Sequence, residues 1–167
     1  MRIFLIGLPG AGKSHWGRIW ANELGLDFID LDHEIEKQHG KSIPAIFSED
    51  GESVFRDWEQ QMLMEFIHRD DYVLACGGGT PCFGKNMDLM NQHGITIFLN
   101  TELKTILKHL ETDNVSRPLT DGLSGLSLEK KINQLYLERK KWYAQAKFTL
   151  LQSELNPGII KNKLMIS

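Results

Sequence analysis

The sequence is poor in cysteine. Cys76 and Cys82 are the only two among 167 residues, and they form no CxxC spacing. That count excludes a disulfide framework and a cysteine zinc module, and leaves two ordinary thiols in a reducing compartment as the expectation. Positive charge is not in excess either: 19 Lys and Arg stand against 22 Asp and Glu, a net charge of −3. A nucleic-acid coat usually needs bulk basicity, so no nucleic-acid partner is expected and any positive site must be local. No HExxH spacing links the six histidines. Long apolar runs are missing as well. No stretch approaches the roughly 18 apolar residues of a membrane span. The early run Ile3 to Ile6 is broken by Gly7, Pro9, Gly10, Gly12 and Lys13, unlike the continuous core of a signal peptide. A soluble cytoplasmic chain without membrane contact is expected. With no heptad, repeat or large apolar surface stripe, a monomer is expected too.

What is present fits one globular domain, residues 1–167. Hydrophobic residues make up 41% and charged residues 25%, and a chain of this length buries roughly 70% of its unfolded surface. Short apolar runs alternate with helical patterns, which predicts βαβ units and a parallel sheet. Strands are expected at 2–6, 28–29, 72–76, 95–99 and 148–151. Helices are expected at 13–24, from about 32 to Gly40, at 52–68 and 83–93, from Thr101 as a cap, from Ser127 as a cap to Ala146, and after an Asn156-Pro157 opening. Residues 112–125 carry turn chemistry. The excursions at 32–60 and 112–125 are expected to fold over the carboxyl edge of the sheet, where open α/β sheets bind ligands.

Residues Gly7 to Ser14 read G-L-P-G-A-G-K-S, a full match to G-x-x-x-x-G-K-[ST] placed between a strand and a helix. Phosphate oxygens need many donors at close range, which such a loop supplies through backbone N–H groups and the following helix N-terminus. Lys13 is placed to reach the β- and γ-phosphates and the Ser14 hydroxyl to ligate Mg²⁺. Chance produces such a match in on the order of one in a hundred chains of this size.

Other positions are less specific alone. Asp30 and Asp32 close the second strand, where one carboxylate could serve Mg²⁺ and the other a substrate hydroxyl; a helix cap is the plainer alternative. Arg56 is either paired with Glu52 one turn back or an anion clamp. Gly77-Gly78-Gly79 after the third strand implies either a tight turn or close approach of backbone to a ligand. Arg117 in the 112–125 loop is a candidate to close over phosphates. Arg139 reads locally as a helix-surface residue.

Together these elements resemble the shikimate kinase family. The resemblance runs from residue 3 to about 146. Its elements are Gly7 to Ser14, Phe28-Ile29-Asp30-Leu31-Asp32, Ser42-Ile43 through Phe47, Gly51-Glu52-x-x-Phe55-Arg56-x-x-Glu59, Gly77-Gly78-Gly79, Arg117-Pro118-Leu119 and Arg139-x-x-x-Tyr143. The resemblance implies a three-layer α/β/α P-loop kinase fold with a five-stranded parallel sheet, a lid at 112–125 and a substrate-binding excursion at 32–60. It implies transfer of the ATP γ-phosphoryl to the 3-hydroxyl of shikimate, in the route to chorismate and aromatic amino acids, with Mg²⁺ as cofactor. Lys13, Asp32 and Arg117 would be catalytic. Gly10, Ala11, Gly12, Lys13, Ser14, His15 and Arg117 would bind nucleotide. Asp32, Phe55, Arg56, Gly77, Gly78, Gly79 and Arg139 would bind shikimate, with Phe47 and Ile43 beside them, and Ser14 and Asp30 would serve the metal. The segment Gln152 to Pro157 lacks the basic residue the family often carries there, so no adenine contact is assigned to it.

Two rivals remain. A gluconate-type kinase would share the glycine loop but has no need of a carboxylate clamp joined to a triple-glycine turn. A non-catalytic nucleotide-binding regulator should have lost Asp32 or an arginine. A GTPase is disfavoured because no N-K-x-D base-reading motif occurs.

Overall fold

The computed structural model describes residues 1–112 and 118–165. Five strands, β1 (Arg2–Ile6), β2 (Asp27–Asp30), β3 (Tyr72–Ala75), β4 (Ile95–Asn100) and β5 (Phe148–Leu151), form one sheet in the order β2-β3-β1-β4-β5. Every pairing is parallel; Leu5, for example, stands opposite Ala75 on one side and Ile97 on the other. The central strands are apolar almost throughout because both faces are covered. Alternate residues of β1 divide between the two faces, as strand geometry requires. Phe4 and Ile6 join Leu63, Ile132 and Tyr143 in one core, while Ile3 and Leu5 join Trp20 and Ile160 in the other.

The helices supply the outer layers. Helix α1 (Lys13–Leu24) and α8 (Ile159–Leu164) cover one face. The other face carries α2 (Leu31–His39), α3 (Ile43–Glu49), α4 (Glu52–Phe66), α5 (Asn86–His93), α6 (Leu103–Thr112) and α7 (Gly125–Tyr143). The three-layer α/β/α fold with five parallel strands is the one expected from the sequence.

Several local expectations are corrected. Residues 43–49 form a helix that periodicity did not reveal; the Ser42 hydroxyl accepts from Ala45 N at 3.3 Å and Pro44 sits in the first turn. The helix expected at 83–93 starts only at Asn86, after a 3-10 turn at Thr80–Cys82. Thr101 caps nothing: its hydroxyl donates to the Ala11 carbonyl at 2.8 Å, tying the end of β4 to the glycine loop. Ser127 is not the cap of α7, which begins after Ser124; the Ser127 hydroxyl turns back to donate to the Ser124 carbonyl at 2.7 Å. The last helix begins at Ile159 rather than at Pro157.

The sheet grows from β1 toward β3 on one side and toward β4 on the other. A crevice opens at the carboxyl ends of the strands where that direction reverses. The glycine loop leaves β1 there, the triple-glycine turn leaves β3, and Asp30 ends β2. Among the described residues no helix is long and apolar enough to cross a membrane.

Candidate active site

The glycine loop wraps the start of α1. Gly12 precedes the helix with φ near +88°, a left-handed conformation that a side chain would strain. No acidic residue occupies the first turn of α1, so the N-terminal N–H groups and helix dipole remain available to an anion. Lys13 Nζ donates to the carbonyls of Gly7 and Leu8 at 3.0 and 2.8 Å, which holds the ammonium across the loop. Ala11 is buried, and its N–H donates to the Leu8 carbonyl at 3.1 Å. The Gly10 carbonyl lies 2.7 Å from His109 Nδ1. His15 is exposed at the mouth, edge-on to Trp16.

The two aspartates have different surroundings. Asp30 caps α2, accepting from His33 N, and its other oxygen accepts from the Ser14 hydroxyl at 2.6 Å. The cap reading of Asp30 is therefore correct, and the same carboxylate also meets the loop serine. Asp32 lies two residues further, in the first turn of α2, with Oδ1 buried and without a hydrogen-bond partner. Burial, and after it the negative charges of Glu59 and Asp30, pushes the Asp32 carboxyl up to about 7 from an ordinary 3.8, against the pull of Lys13 and Arg56.

Both arginines are buried: Arg56 is 9% exposed and Arg139 7%. The surface reading of Arg139 is overturned. It lies on the inner stripe of α7 with Leu128, Ile132, Leu135 and Tyr143, and its Nη1 has no hydrogen-bond partner. The local pairing expected for Arg56 exists, with Nε and Nη2 donating to Glu52 Oε1 at 3.3 and 3.1 Å. It coexists with a second contact, Nη1 to Glu59 Oε2 at 2.9 Å. Glu59 is fully buried. Sequence reading gave it no role, although an acid three residues from Arg56 on the apolar stripe of α4 is a legible signal.

The triple-glycine turn explains itself by crowding. A Cβ on Gly79 would sit 2.6 Å from Arg56 Nη2, and one on Gly78 would sit 3.0 Å from Arg139 Nη1. One on Gly77 would meet Glu59 Oε1 at 3.0 Å and Asp32 Oδ1 at 3.1 Å. The glycines let backbone lie directly against both arginines and both carboxylates.

One cleft of about 940 Å³ joins these parts. Gly10, Gly12, Lys13, Ser14, His15, Asp30, Asp32, Phe55, Arg56, Arg139 and all three glycines of the turn line it, as do Ile43 and Phe47. Ala11 is the one described candidate that does not. Arg117 falls in 113–117, outside the described residues, while Thr112, Pro118, Leu119 and Thr120 line the cleft on either side. Trp16, Arg18 and His109 also line it; sequence reading missed them because nothing in a helix pattern marks which residues overhang a loop. The segment 152–157 is pinned from behind, with Trp20 Nε1 donating to the Asn156 carbonyl at 3.1 Å and Glu102 N to Gln152 Oε1 at 3.1 Å. Cys76 is buried and Cys82 half-buried, and burial raises both thiols, Cys82 to about 11, so neither is poised to react.

Comparison with known proteins agrees with this geometry. Residues 9–165 match the shikimate kinase family profile. The chain is 38% identical to a shikimate kinase of Parabacteroides distasonis, over 98% of this chain and 97% of that one. It is 41% identical to a shikimate kinase of Phocaeicola vulgatus, over 92% and 88%. The crystal structure of shikimate kinase from Bacteroides thetaiotaomicron superposes with a TM-score of 0.94 at 34% identity, over 99% of both chains. Shikimate kinase from Acinetobacter baumannii in complex with shikimate superposes at 0.87 and 34% identity, over 98% and 90%. The chain belongs to the shikimate kinase family.

Proposed function

We propose that the cleft binds ATP at its glycine-loop end and shikimate at its arginine end, and that the chain transfers the γ-phosphoryl of ATP to the 3-hydroxyl of shikimate. One observation carries the assignment of the acceptor end. Two buried arginines from different helices, Arg56 and Arg139, converge on one glycine turn beside the phosphate loop and Asp32. Two guanidinium forks and backbone N–H groups match a small carboxylate, and a buried carboxylate matches its hydroxyls. The relative in complex with shikimate supports that acceptor.

Phosphoryl transfer depends on positioning and charge stabilisation. The backbone of Gly10 to His15 cradles the phosphates, and Lys13 leaves the Gly7 and Leu8 carbonyls to meet the β- and γ-oxygens. Arg56 and Arg139 hold the acceptor carboxylate. Asp32, with Oδ1 unpartnered, accepts the proton of the attacking hydroxyl. Phe55, Phe47 and Ile43 wall the ring. Arg117 belongs to the lid, residues 112–125, and adds a cation at the phosphates; residues 32–60 form the acceptor-binding excursion of a single kinase domain, monomeric and cytoplasmic.

The residues present fit Mg²⁺. The Ser14 hydroxyl and an Asp30 carboxylate oxygen lie 2.6 Å apart at the helix start. Two hard oxygen donors suit an ion that keeps several waters and takes the rest of its shell from substrate phosphates. When bound there, the ion supplies positive charge against the phosphate oxygens.

A coupled ADP-release assay with shikimate, quinate, gluconate and nucleoside monophosphates in parallel tests the reading. Turnover with shikimate well above the others is expected. Preference for gluconate or a nucleotide would overturn the acceptor, and no turnover with any of them would overturn the kinase.

A further inference from the structure

The four residues that follow the glycine turn, Thr80-Pro81-Cys82-Phe83, have no part in the assignments above. Two of them converge on Arg56. Thr80 is fully buried, and its hydroxyl donates to Glu59 Oε1 at 2.5 Å. The other oxygen of Glu59 accepts from Arg56 Nη1 at 2.9 Å. Thr80 is itself fixed, because Asn86 Nδ2 donates to its carbonyl at 2.9 Å. Phe83 is 38% exposed, one of several large apolar side chains at the surface. Its ring lies 4.2 Å from the guanidinium carbon of Arg56, closer than that of Phe55 at 5.0 Å.

The donor count of Arg56 gives these contacts a consequence. A guanidinium carries five N–H groups. Two point at Glu52 and one at Glu59, so 5 − 3 leaves two, enough for one bidentate carboxylate. Which two remain free depends on the rotation of the guanidinium plane. Glu59 sets that rotation at one edge, and Thr80 holds Glu59. The guanidinium carbon lies over the Phe83 ring, where an aromatic face attracts the cation and shields it from water.

We propose that Thr80 and Phe83 are positioning residues for Arg56, and that through it they set how strongly the site discriminates for the acceptor's carboxylate. The inference deepens the shikimate reading and rests on it. Neither residue touches the acceptor; both act by fixing the fork that does.

The test compares the wild type with Phe83→Leu, Phe83→Tyr, Thr80→Val and Thr80→Ser. Each is assayed with shikimate and with its carboxamide, which is neutral at the clamp. Phe83→Leu and Thr80→Val are each expected to raise the KM for shikimate by about three- to thirtyfold, with kcat and the KM for ATP within about twofold of wild type, the pattern of lost ground-state binding. Phe83→Tyr and Thr80→Ser keep the ring face and the hydroxyl and are expected to stay close to wild type. The preference in kcat/KM for shikimate over the carboxamide should shrink in the first pair and hold in the second. An unchanged shikimate KM in Phe83→Leu overturns the role of Phe83, and the same result in Thr80→Val overturns that of Thr80. Equal losses with acid and amide, or a parallel rise in the KM for ATP, overturn positioning in favour of general damage. Phe83 lies at the surface, so its variant carries the test even if Thr80→Val folds poorly. A wild type that phosphorylates neither acceptor overturns the acceptor reading itself, a result distinct from all of these.

Discussion

The Tyr143 hydroxyl donates to the Gly78 carbonyl at 2.6 Å, joining the last turn of α7 to the glycine turn after β3. Arg139 lies one helical turn earlier on the same face, and its Nη1 would be 3.0 Å from a Cβ on Gly78. One hydrogen bond thus fixes the distance between an arginine and the backbone it faces. Tyr143→Phe keeps the stacking on Phe98 at 4.9 Å and takes the hydroxyl away from the Gly78 carbonyl and from the neighbouring Arg139. A stability loss of about 1 kcal/mol is expected, with a several-fold higher KM for shikimate and an unchanged KM for ATP. Denaturant unfolding and two KM measurements check it; an unaltered shikimate KM would show that the turn holds its place without the tyrosine.

Lys13 bridges two loop carbonyls in the structure and is expected to exchange them for phosphate oxygens. Lys13→Met preserves the length of the side chain and removes its charge. A loss of at least about a hundredfold in kcat is expected, because transition-state charge is stabilised electrostatically. Circular dichroism should show the fold intact. Near-normal turnover would sink the role assigned to Lys13.

The arginines divide acceptor from nucleotide. Arg56→Ala and Arg139→Ala should each weaken shikimate binding far more than ATP binding, by about 2–5 kcal/mol for the loss of a buried charged partner. Lysine should rescue either site poorly, because a point charge does not reproduce the planar fork. Arg56→Ala carries an added cost, since it leaves the fully buried Glu59 without its arginine. Separate calorimetric titrations with each ligand decide it, and equal weakening of both would point to damage beyond the acceptor end.

How much of this was legible in the sequence depends on what each residue answers to. The strands, α1 and the phosphate loop were legible because apolar runs and glycine spacing are local properties. Helix α3 was not, since seven residues with two buried isoleucines are too few to show a period. The buried arginines were half-legible. Leu128, Ile132, Leu135 and Tyr143 mark the inner stripe of α7, and Arg139 falls on it at the right spacing. Read as a neighbour of Glu138, Lys140 and Lys141, it looked like surface. A charge on an apolar stripe is a signal of function, and the same test would have singled out Glu59. The contacts of Thr80, Phe83 and Thr101 depend on which elements meet at the carboxyl edge, and no spacing within one segment encodes that.

Asp30 and Asp32 should separate by their response to metal. Asp30 shares its environment with the Ser14 hydroxyl at 2.6 Å, whereas Asp32 has an unpartnered oxygen near Glu59 and the glycine turn. Asp30→Asn is therefore expected to lose activity that excess Mg²⁺ partly restores, and Asp32→Asn to lose activity that Mg²⁺ does not restore. A Mg²⁺ titration at saturating ATP and shikimate distinguishes them; rescue of the Asp32 variant alone would reverse the two roles.

The raised Asp32 carboxyl makes stability and activity run in opposite directions with pH. In the folded chain Asp32 keeps its proton up to about pH 7, while in the unfolded chain it ionises near 3.8. Below the lower value both states are protonated and the fold has its full stability. As pH rises between the two values, the unfolded state releases a proton that the folded state retains, so stability falls; above about 7 the loss is complete and constant. Asparagine at this position is neutral in both states. Asp32→Asn is therefore expected to lie close to the wild type in unfolding free energy near pH 4 and to exceed it by up to about 4 kcal/mol at pH 8. Turnover follows the opposite course, because only the ionised carboxylate accepts the hydroxyl proton. Wild-type kcat/KM for shikimate should rise with pH through about 7, and Asp32→Asn should lose about 10²–10⁴-fold together with that acid limb. Chemical unfolding at the two pH values and a pH–rate profile measure both. An acid limb that survives in Asp32→Asn would belong to another group. A variant less stable than wild type at pH 8 would mean that Lys13 and Arg56 outweigh burial and hold Asp32 ionised from the start.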